Sequence, residues 1–371
     1  MKRLSYFITF ASVLLMFGIA AALIINAQSA AQSKGTAQNR EAENLKGSAK
    51  LKRNQKPQTT TYQAGDYRLS GPYTHENLTI FLVHGKSLIT KDFLTLQEAL
   101  EQKKVVVYET QEVNELAIQN FSNQDVYVQA GDVVKGGQQD RMISIDFIVP
   151  PKSGKLPIAA FCVEKGRWSQ RANESRASFS SSTDNVATKD IKLAAKRAKS
   201  QDEVWKNVAE AQEKLSANLG QTVNATVSES SLQLSLENSK VRESSENYFR
   251  ELSGILAGHR DVIGYVFAIN GQVNSADVYA SSSLFRKLWP KSLRANAIEA
   301  IAELEKDKPF QPITADQARV FLAEAEDGKV TEEQVANRVT LVTRENDSQM
   351  FFETRDRQYK DVWLHRNYLR K

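Results

Sequence analysis

Cysteine and histidine are scarce in this sequence, which has one Cys and four His in 371 residues. A single cysteine excludes an intramolecular disulfide and a cysteine-based zinc ribbon. The histidines lie too far apart in sequence for two of them to share one helical turn, as a zincin motif requires. Cys162 lies in the apolar stretch PIAAFCV and is expected to be a small buried hydrophobe. We therefore expect neither a metal site nor a cofactor.

Two common active-site motifs are also absent. The sequence contains no Gly-x-Ser-x-Gly nucleophile elbow and no Gly-x-x-x-x-Gly-Lys-Ser/Thr phosphate loop. His84 ends a predicted strand in Val83-His84-Gly85, where a general base could lie, but an ordinary strand-end histidine is the more common case. The sequence thus names no reaction.

An excess of positive over negative charge is confined to the N-terminal region. The formal net charge is +5, but residues 1–64 hold nine Lys or Arg and only two Glu. The remaining residues carry slightly more acidic than basic side chains, so they offer no broad basic surface for a phosphate backbone. We expect no nucleic-acid partner.

Residues 1–31 are predicted to be a signal peptide or an N-terminal membrane anchor. Lys2 and Arg3 precede residues 4–27, which carry no charge and, at about 24 residues, are long enough to span a bilayer. Small residues at 29–31 would equally suit signal cleavage, so both alternatives stay open. In either case the positive N-terminus directs the rest out of the cytoplasm. We expect a periplasmic or secreted domain, held at the membrane through residues 4–27 if these are not cleaved.

Residues 32–64 are predicted to be a flexible polar linker, because they contain almost no large apolar side chains. Residues 65–371 follow as one composite α+β domain, with a possible sub-boundary near residue 180. Its first half is rich in β-type runs that suggest hairpins, among them residues 78–83, 142–149 and 158–164.

The second half mixes helical and β patterns. Apolar residues recur at three- and four-residue steps from Ile191 to Leu219, with a predicted break at Ser200 and an end at Gly220. Further helices are predicted over residues 241–256 and 281–305, the latter interrupted at Pro290. Asn270-Gly271 between two β-type runs predicts a hairpin, and residues 338–371 predict two or three strands.

Two polar clusters adjoin the predicted strands 142–149 and 158–164. If Val149 pairs with Ile158, antiparallel register places Asp140 opposite Arg167, Arg141 opposite Gly166 and Ile143 opposite Glu164. The clusters would then converge on one site. The candidate ligand-binding residues are Gly136, Gly137, Gln138, Gln139, Asp140, Arg141, Glu164, Arg167 and Trp168.

These residue types suit a small anionic, nucleotide-like or sugar-like ligand. Arginine offers paired donors to phosphate or carboxylate, an exposed tryptophan stacks on a base or sugar, and consecutive glycines let backbone N–H groups approach an anion. Asp140 and Glu164 are the candidate catalytic groups of these two clusters. The structural alternative is an ion-pair network, Asp140–Arg167 and Glu164–Arg141, with Trp168 covering the core.

The two motifs, Gly136–Arg141 and Cys162–Trp168, resemble the bacterial ADP-ribosylglycohydrolase and rhodanese-phosphatase-superfamily-associated protein domain. The resemblance extends over roughly Tyr67 to Leu304. It implies genomic association with enzymes that process ADP-ribose and phosphoryl groups, and so an ADP-ribose-like or nucleotide-like ligand. We expect an extracytoplasmic, noncatalytic ligand-binding or scaffold module. The alternative is a hydrolase acting on a phosphate- or sugar-containing ligand, with Asp140 or Glu164 as general base.

Overall fold

The computed structural model describes residues 67–336, 338–360 and 362–371. The predicted signal peptide or anchor and the predicted linker lie outside these residues. Within the described part of the chain, no helix is both long enough and apolar enough to cross a membrane.

The described residues form the predicted α+β fold, with seventeen strands and seven α-helices. The strands are β1 (Arg68–His75), β2 (Leu78–His84), β3 (Leu94–Thr95), β4 (Val105–Glu109), β5 (Glu115–Asn120), β6 (Val126–Val128), β7 (Asp132–Gly136), β8 (Arg141–Ile143), β9 (Phe147–Val149), β10 (Leu156–Cys162), β11 (Phe179–Val186), β12 (Val262–Ile269), β13 (Gln272–Tyr279), β14 (Lys329–Ala336), β15 (Val339–Glu345), β16 (Gln349–Asp356) and β17 (Trp363–Arg370). The α-helices are α1 (Leu96–Glu101), α2 (Lys189–Leu193), α3 (Gln201–Leu219), α4 (Leu232–Leu236), α5 (Ser239–Leu252), α6 (Ser282–Ala302) and α7 (Ala315–Glu326).

Three sheets organise these strands. The largest has eight antiparallel strands in the order β1-β2-β12-β13-β17-β16-β15-β14. A second has six strands in the order β11-β7-β8-β10-β5-β4, and the third joins β3, β6 and β9. The first half is therefore β-rich and the second half mixed, as predicted.

The Asn270-Gly271 hairpin is confirmed. Asn270 and Gly271 have φ of 50° and 73°, the left-handed pair that a two-residue turn requires, and they join β12 to β13. A β-carbon on Gly271 would lie 2.5 Å from the Gln311 carbonyl oxygen, so this turn also needs glycine for close packing.

Helix α3 begins and ends where the sequence predicts. The Ser200 side chain accepts a hydrogen bond from the Glu203 backbone N–H, and Gly220 closes the helix with φ of 70°. Its buried residues recur at three- and four-residue steps, so one face packs into the core: Val204, Val208, Ala211 and Leu215.

Helix α6 corrects one prediction. Pro290 lies inside it, yet the helix runs without a break from Ser282 to Ala302. Proline costs a helix about 3 kcal/mol, but apolar side chains on both sides of Pro290 are buried, including Leu288, Trp289 and Leu293. Their packing offsets the lost backbone hydrogen bond.

The main hydrophobic core joins the eight-stranded sheet to helices α3, α5, α6 and α7. A second core lies among the strands of the two smaller sheets and includes Val107, Ile118 and Val149. The polar clusters lie where β7 and β10 end and β8 begins, in the six-stranded sheet.

Candidate functional site

The strand pairing that brings the two clusters together differs from the predicted one. Strand β8 pairs with the end of β10, so that Arg141 lies opposite Cys162 rather than Gly166. Val149 does not pair with Ile158. The chain leaves the ladder after Ile143, and β9 then pairs with β6, where Val149 lies opposite Val126. The clusters still meet, because each adjoins the same end of the β8–β10 pair.

Two arginines enclose the two candidate catalytic carboxylates. Asp140 and Glu164 are both fully buried. Arg171 Nη1 lies 3.0 Å from Asp140 Oδ2 and 3.1 Å from Glu164 Oε1. Arg167 Nη2 lies 2.7 Å from Glu164 Oε2 and 3.6 Å from Asp140 Oδ1. We call these four residues the ion-pair cluster. Their formal charges sum to zero.

Neutral groups complete the hydrogen bonding of this cluster. Ser231 Oγ donates to Asp140 Oδ2 at 2.9 Å, and Ser228 Oγ donates to Glu164 Oε1. The Gly136 backbone N–H donates to Asp140 Oδ1, and the Asp140 backbone N–H to Glu164 Oε2. Each of the four carboxylate oxygens therefore has at least two donors. Buried carboxylates satisfied in this way are typical of a structural network.

The pKa values of the two carboxyl groups are shifted in opposite directions. Burial raises the pKa of Asp140, and the neighbouring charge of Glu164 raises it further. Burial also disfavours the charged form of Glu164, but hydrogen bonds from Arg167 and Ser228 outweigh it and lower the pKa of Glu164. Glu164 is thus the more firmly ionised of the pair.

The ion pairs agree only in part with the predicted network. Asp140–Arg167 is confirmed, whereas Glu164–Arg141 is wrong: Arg141 Nη2 lies 3.6 Å from Glu109 Oε1 instead. The sequence reasoning also missed Arg171, which lies closer to Asp140 than Arg167 does. The sequence did contain a signal for Arg171, because this second arginine follows Arg167 by four residues in the same loop.

Arg141 forms the outer part of the site together with Trp168. The Arg141 guanidinium is fully buried and its central carbon lies 5.5 Å from the centre of the Trp168 ring. Its Nη1 donates to Gln139 Oε1 at 3.3 Å. Among the described residues, its Nε and Nη2 find no hydrogen-bond acceptor. Trp168 is 45% exposed, so a large part of this residue is open to solvent while its ring lies beside a buried cation.

The remaining candidate residues shape the loop rather than present free donors. The Gly137 N–H donates to the Ser175 carbonyl, and the Gln138 N–H donates to Glu109 Oε2. Arg167 donates to the carbonyl oxygens of Gly136 and Gly137. Because the N–H groups of Gly136 and Gly137 are occupied, the predicted backbone cradle for an anion is not available in this conformation.

The arrangement can bind more readily than it can catalyse. A general base needs a carboxylate that is free to accept a proton from a substrate, but both carboxylates face arginines and hydroxyls. Within residues 67–336, 338–360 and 362–371, no group of three or more His, Cys, Asp or Glu is placed to hold a metal ion. Trp168 is the exposed aromatic group of the site, and the buried Arg141 beside it keeps Nε and Nη2 without a hydrogen-bond acceptor among the described residues.

A family model matches over most of the chain. The ARG and Rhodanese-Phosphatase-superfamily-associated Protein domain, ARPP-1, matches residues 66–369, which include both polar clusters and nearly the whole described fold. The chain belongs to the ARPP-1 domain family. The resemblance seen in the two motifs is confirmed at the level of the family and extends further than Leu304. No curated protein and no solved structure matches the chain.

Proposed function

We propose that this ARPP-1 domain is a noncatalytic ligand-binding module and that its ligand binds against Trp168 and Arg141. The observation that carries the proposal is the exposed Trp168 ring above a buried guanidinium whose Nε and Nη2 lack hydrogen-bond acceptors among the described residues. Asp140 and Glu164 have a structural role in this account. They hold the loop that carries Trp168 through Arg167 and Arg171.

The chemistry of these two side chains defines the class of ligand. Trp168 offers a flat apolar surface on which a base or sugar ring can stack. Arg141 offers donors for phosphate or carboxylate oxygens. A small ligand with both a ring and an anionic group, such as a nucleotide or a sugar phosphate, fits this pair. The bacterial, extracytoplasmic setting expected from the resemblance and from residues 1–31 is part of the same proposal.

The test is a thermal-shift screen of the full chain with adenosine monophosphate, ADP-ribose, glucose 1-phosphate and inorganic phosphate. A ligand that binds only the folded state stabilises it by about 2.7 kcal/mol at a hundred times its dissociation constant. We expect a ring-bearing anion to raise the melting temperature more than phosphate alone. Trp168→Ala should abolish that difference, because stacking is lost.

Phe121→Ala is the matched control. Phe121 is 44% exposed, nearly the same as Trp168, but lies at the end of β5 away from the ion-pair cluster. It should leave the shift unchanged. Equal shifts in wild type and Trp168→Ala, or no shift with any of the four probes, would contradict the proposal. Turnover of a bound probe that is lost in Glu164→Gln would instead favour the hydrolase.

A further inference from the structure

A hydrogen-bonded chain of serine, histidine and aspartate lies at the edge of the eight-stranded sheet. Ser70 Oγ is 2.7 Å from His84 Nε2, and His84 Nδ1 is 2.9 Å from Asp261 Oδ1. From this geometry we infer a second site, in which Ser70 is a nucleophile, His84 its general base and Asp261 the residue that positions His84. The inference goes beyond the proposed noncatalytic role of the Trp168 and Arg141 site, because it gives the domain a catalytic site elsewhere, and either proposal can fail alone.

Three segments of the fold bring these side chains together. In the β1–β2 pair Arg68 lies opposite His84, so Ser70 lies diagonally across from His84 on the same face. Asp261 precedes β12, whose first residue, Val262, lies opposite His84. The Gly85 N–H donates to the Asp261 carbonyl oxygen at 2.9 Å, which fixes the two chain segments beside each other.

The hydrogen bonds define the roles of the two imidazole nitrogens. An ionised carboxylate can only accept, so Asp261 holds the proton on Nδ1. Nε2 is then the nitrogen with a free lone pair, and it accepts the Ser70 hydroxyl proton. The hydrogen bond from His84 also lowers the pKa of Asp261, which keeps the carboxylate ionised. This is the order of contacts that activates a serine nucleophile.

The neighbouring side chains indicate the class of substrate. Ser70 is half-buried on an edge strand, and the following Gly71 and Pro72 are exposed, so Ser70 lies beside a solvent-exposed segment of the chain. Arg68 is exposed and pairs with Asp261 at 2.7 Å. Lys86, two residues after His84, and Arg260, directly before Asp261, are also exposed. This basic rim favours an ester that carries a carboxylate or phosphate near the scissile bond.

The proposed reaction is ester hydrolysis through an acyl-serine. Ser70 Oγ attacks the carbonyl carbon while its proton passes to His84 Nε2. The bond from carbon to the leaving oxygen then breaks, and the leaving alcohol takes the proton from Nε2. A water molecule, deprotonated by the same nitrogen, attacks the acyl carbon, and the proton returns to Ser70 as the acid departs. No oxidant, reductant or additional reactant is needed.

The sequence allows two interpretations of His84, an ordinary strand-end histidine or a general base. The structure supplies what the sequence lacked, a serine and a carboxylate at hydrogen-bond distance on opposite ring nitrogens. These partners lie 14 and 177 residues away along the chain. No local motif could therefore reveal them.

The test is reaction of the full chain with a fluorophosphonate probe, followed by peptide mapping. Attack by Ser70 Oγ forms a P–O bond and releases fluoride, while the serine proton passes to His84. We expect the adduct on Ser70, its loss in Ser70→Ala, and a labelling rate at least about 100-fold lower in His84→Gln. Ser244→Ala is the control, because Ser244 is another half-buried serine but lies on α5.

Hydrolysis of 4-nitrophenyl esters tests the roles of Asp261 and the basic rim. Asp261→Asn should lower the rate, because His84 loses the carboxylate that holds the proton on Nδ1. The mono-4-nitrophenyl ester of succinate should react faster than the acetate. Asp261 is exposed, so this variant is expected to fold even if His84→Gln does not.

Three results would overturn the inference, each in protein that melts at the wild-type temperature. One is the absence of an adduct on Ser70, and another is labelling that maps to a different serine. The third is a wild-type labelling rate in both His84→Gln and Asp261→Asn, which would reduce the triad to a structural hydrogen-bond chain.

Discussion

At the scale of single residues, His365 is a titratable group held between two buried carboxylates. Its Nδ1 lies 3.1 Å from Asp146 Oδ1 and its Nε2 lies 2.9 Å from Asp277 Oδ1, and all three side chains are buried. Since both ring nitrogens face carboxylates, the imidazole carries two protons and a positive charge. Burial opposes that charge, but the two aspartates outweigh it and raise the pKa of His365. Tyr279 stacks on the ring with centroids 4.4 Å apart.

Stability should therefore fall as the solution becomes alkaline. A histidine whose pKa is higher in the folded than in the unfolded state stabilises the fold fully below the unfolded value of about 6.5. That contribution is lost as pH rises through the folded value. Urea unfolding at a series of pH values from 6 to 10 should show a decreasing free energy of unfolding in the wild type.

His365→Gln is the variant that isolates this effect. It should be less stable than the wild type near pH 6, and the difference should shrink as pH rises through the folded pKa of His365. Parallel curves, with a constant difference between wild type and variant, would show that His365 is uncharged in the folded protein.

At the scale of elements, the turn between β7 and β8 depends on Gly137. Its φ is 56°, and a β-carbon there would lie 2.2 Å from Phe179 Cζ on β11. Gly166, in the loop that carries Trp168, also has a positive φ of 88° but has nothing within 4 Å of an added β-carbon. Alanine substitutions at these two glycines therefore separate the cost of backbone strain from the cost of steric overlap.

Gly137→Ala should be clearly more destabilising than Gly166→Ala. The left-handed conformation alone costs alanine about 1–2 kcal/mol, and overlap with a buried ring adds about 1–3 kcal/mol. The two variants are compared by urea unfolding, and the difference between their free energies of unfolding gives the energetic cost of the overlap with Phe179. Equal losses would mean that Phe179 moves aside at no cost.

The sequence predicts well those elements whose ends are determined by residues close together in the chain. Ser200 and Gly220 bound α3, and Asn270-Gly271 forms the β12–β13 turn, because a cap or a two-residue turn is decided by neighbours in sequence. The β8–β10 register was wrong because the pairing of β9 with β6 competes for the same segment. The break at Pro290 was wrong because tertiary packing of α6 outweighs local preference.

In the candidate site, too, contacts between nearby segments were predicted and contacts between distant segments were missed. Its two motifs meet as predicted, because short strands join them. Arg171 and Ser231 were missed, and Ser231 lies 91 residues from its partner Asp140. The Ser70–His84–Asp261 chain was missed for the same reason. Contacts between distant segments are set by sheet order, which no pattern in a single sequence specifies.

At the scale of the whole molecule, the ion-pair cluster ties separate segments together. Asp140 belongs to the β7–β8 turn, Glu164 follows β10, and Ser231 caps α4. Arg167 and Arg171 lie in the loop after β10 and form ion pairs with these two carboxylates. If this cluster is structural, removing one charge should destabilise the entire domain, since a buried charge then loses its partner.

A double-mutant cycle on Asp140 and Arg171 measures whether the cluster is structural. Asp140→Asn and Arg171→Met should each lower the free energy of unfolding by about 3–5 kcal/mol. The double variant should lose less than the sum of the two, by at least about 1 kcal/mol, because it buries no unpaired charge from this pair. Arg176→Met, at an exposed arginine of the same loop, should change stability little. Additive losses, or single variants as stable as the wild type, would contradict a structural ion-pair cluster.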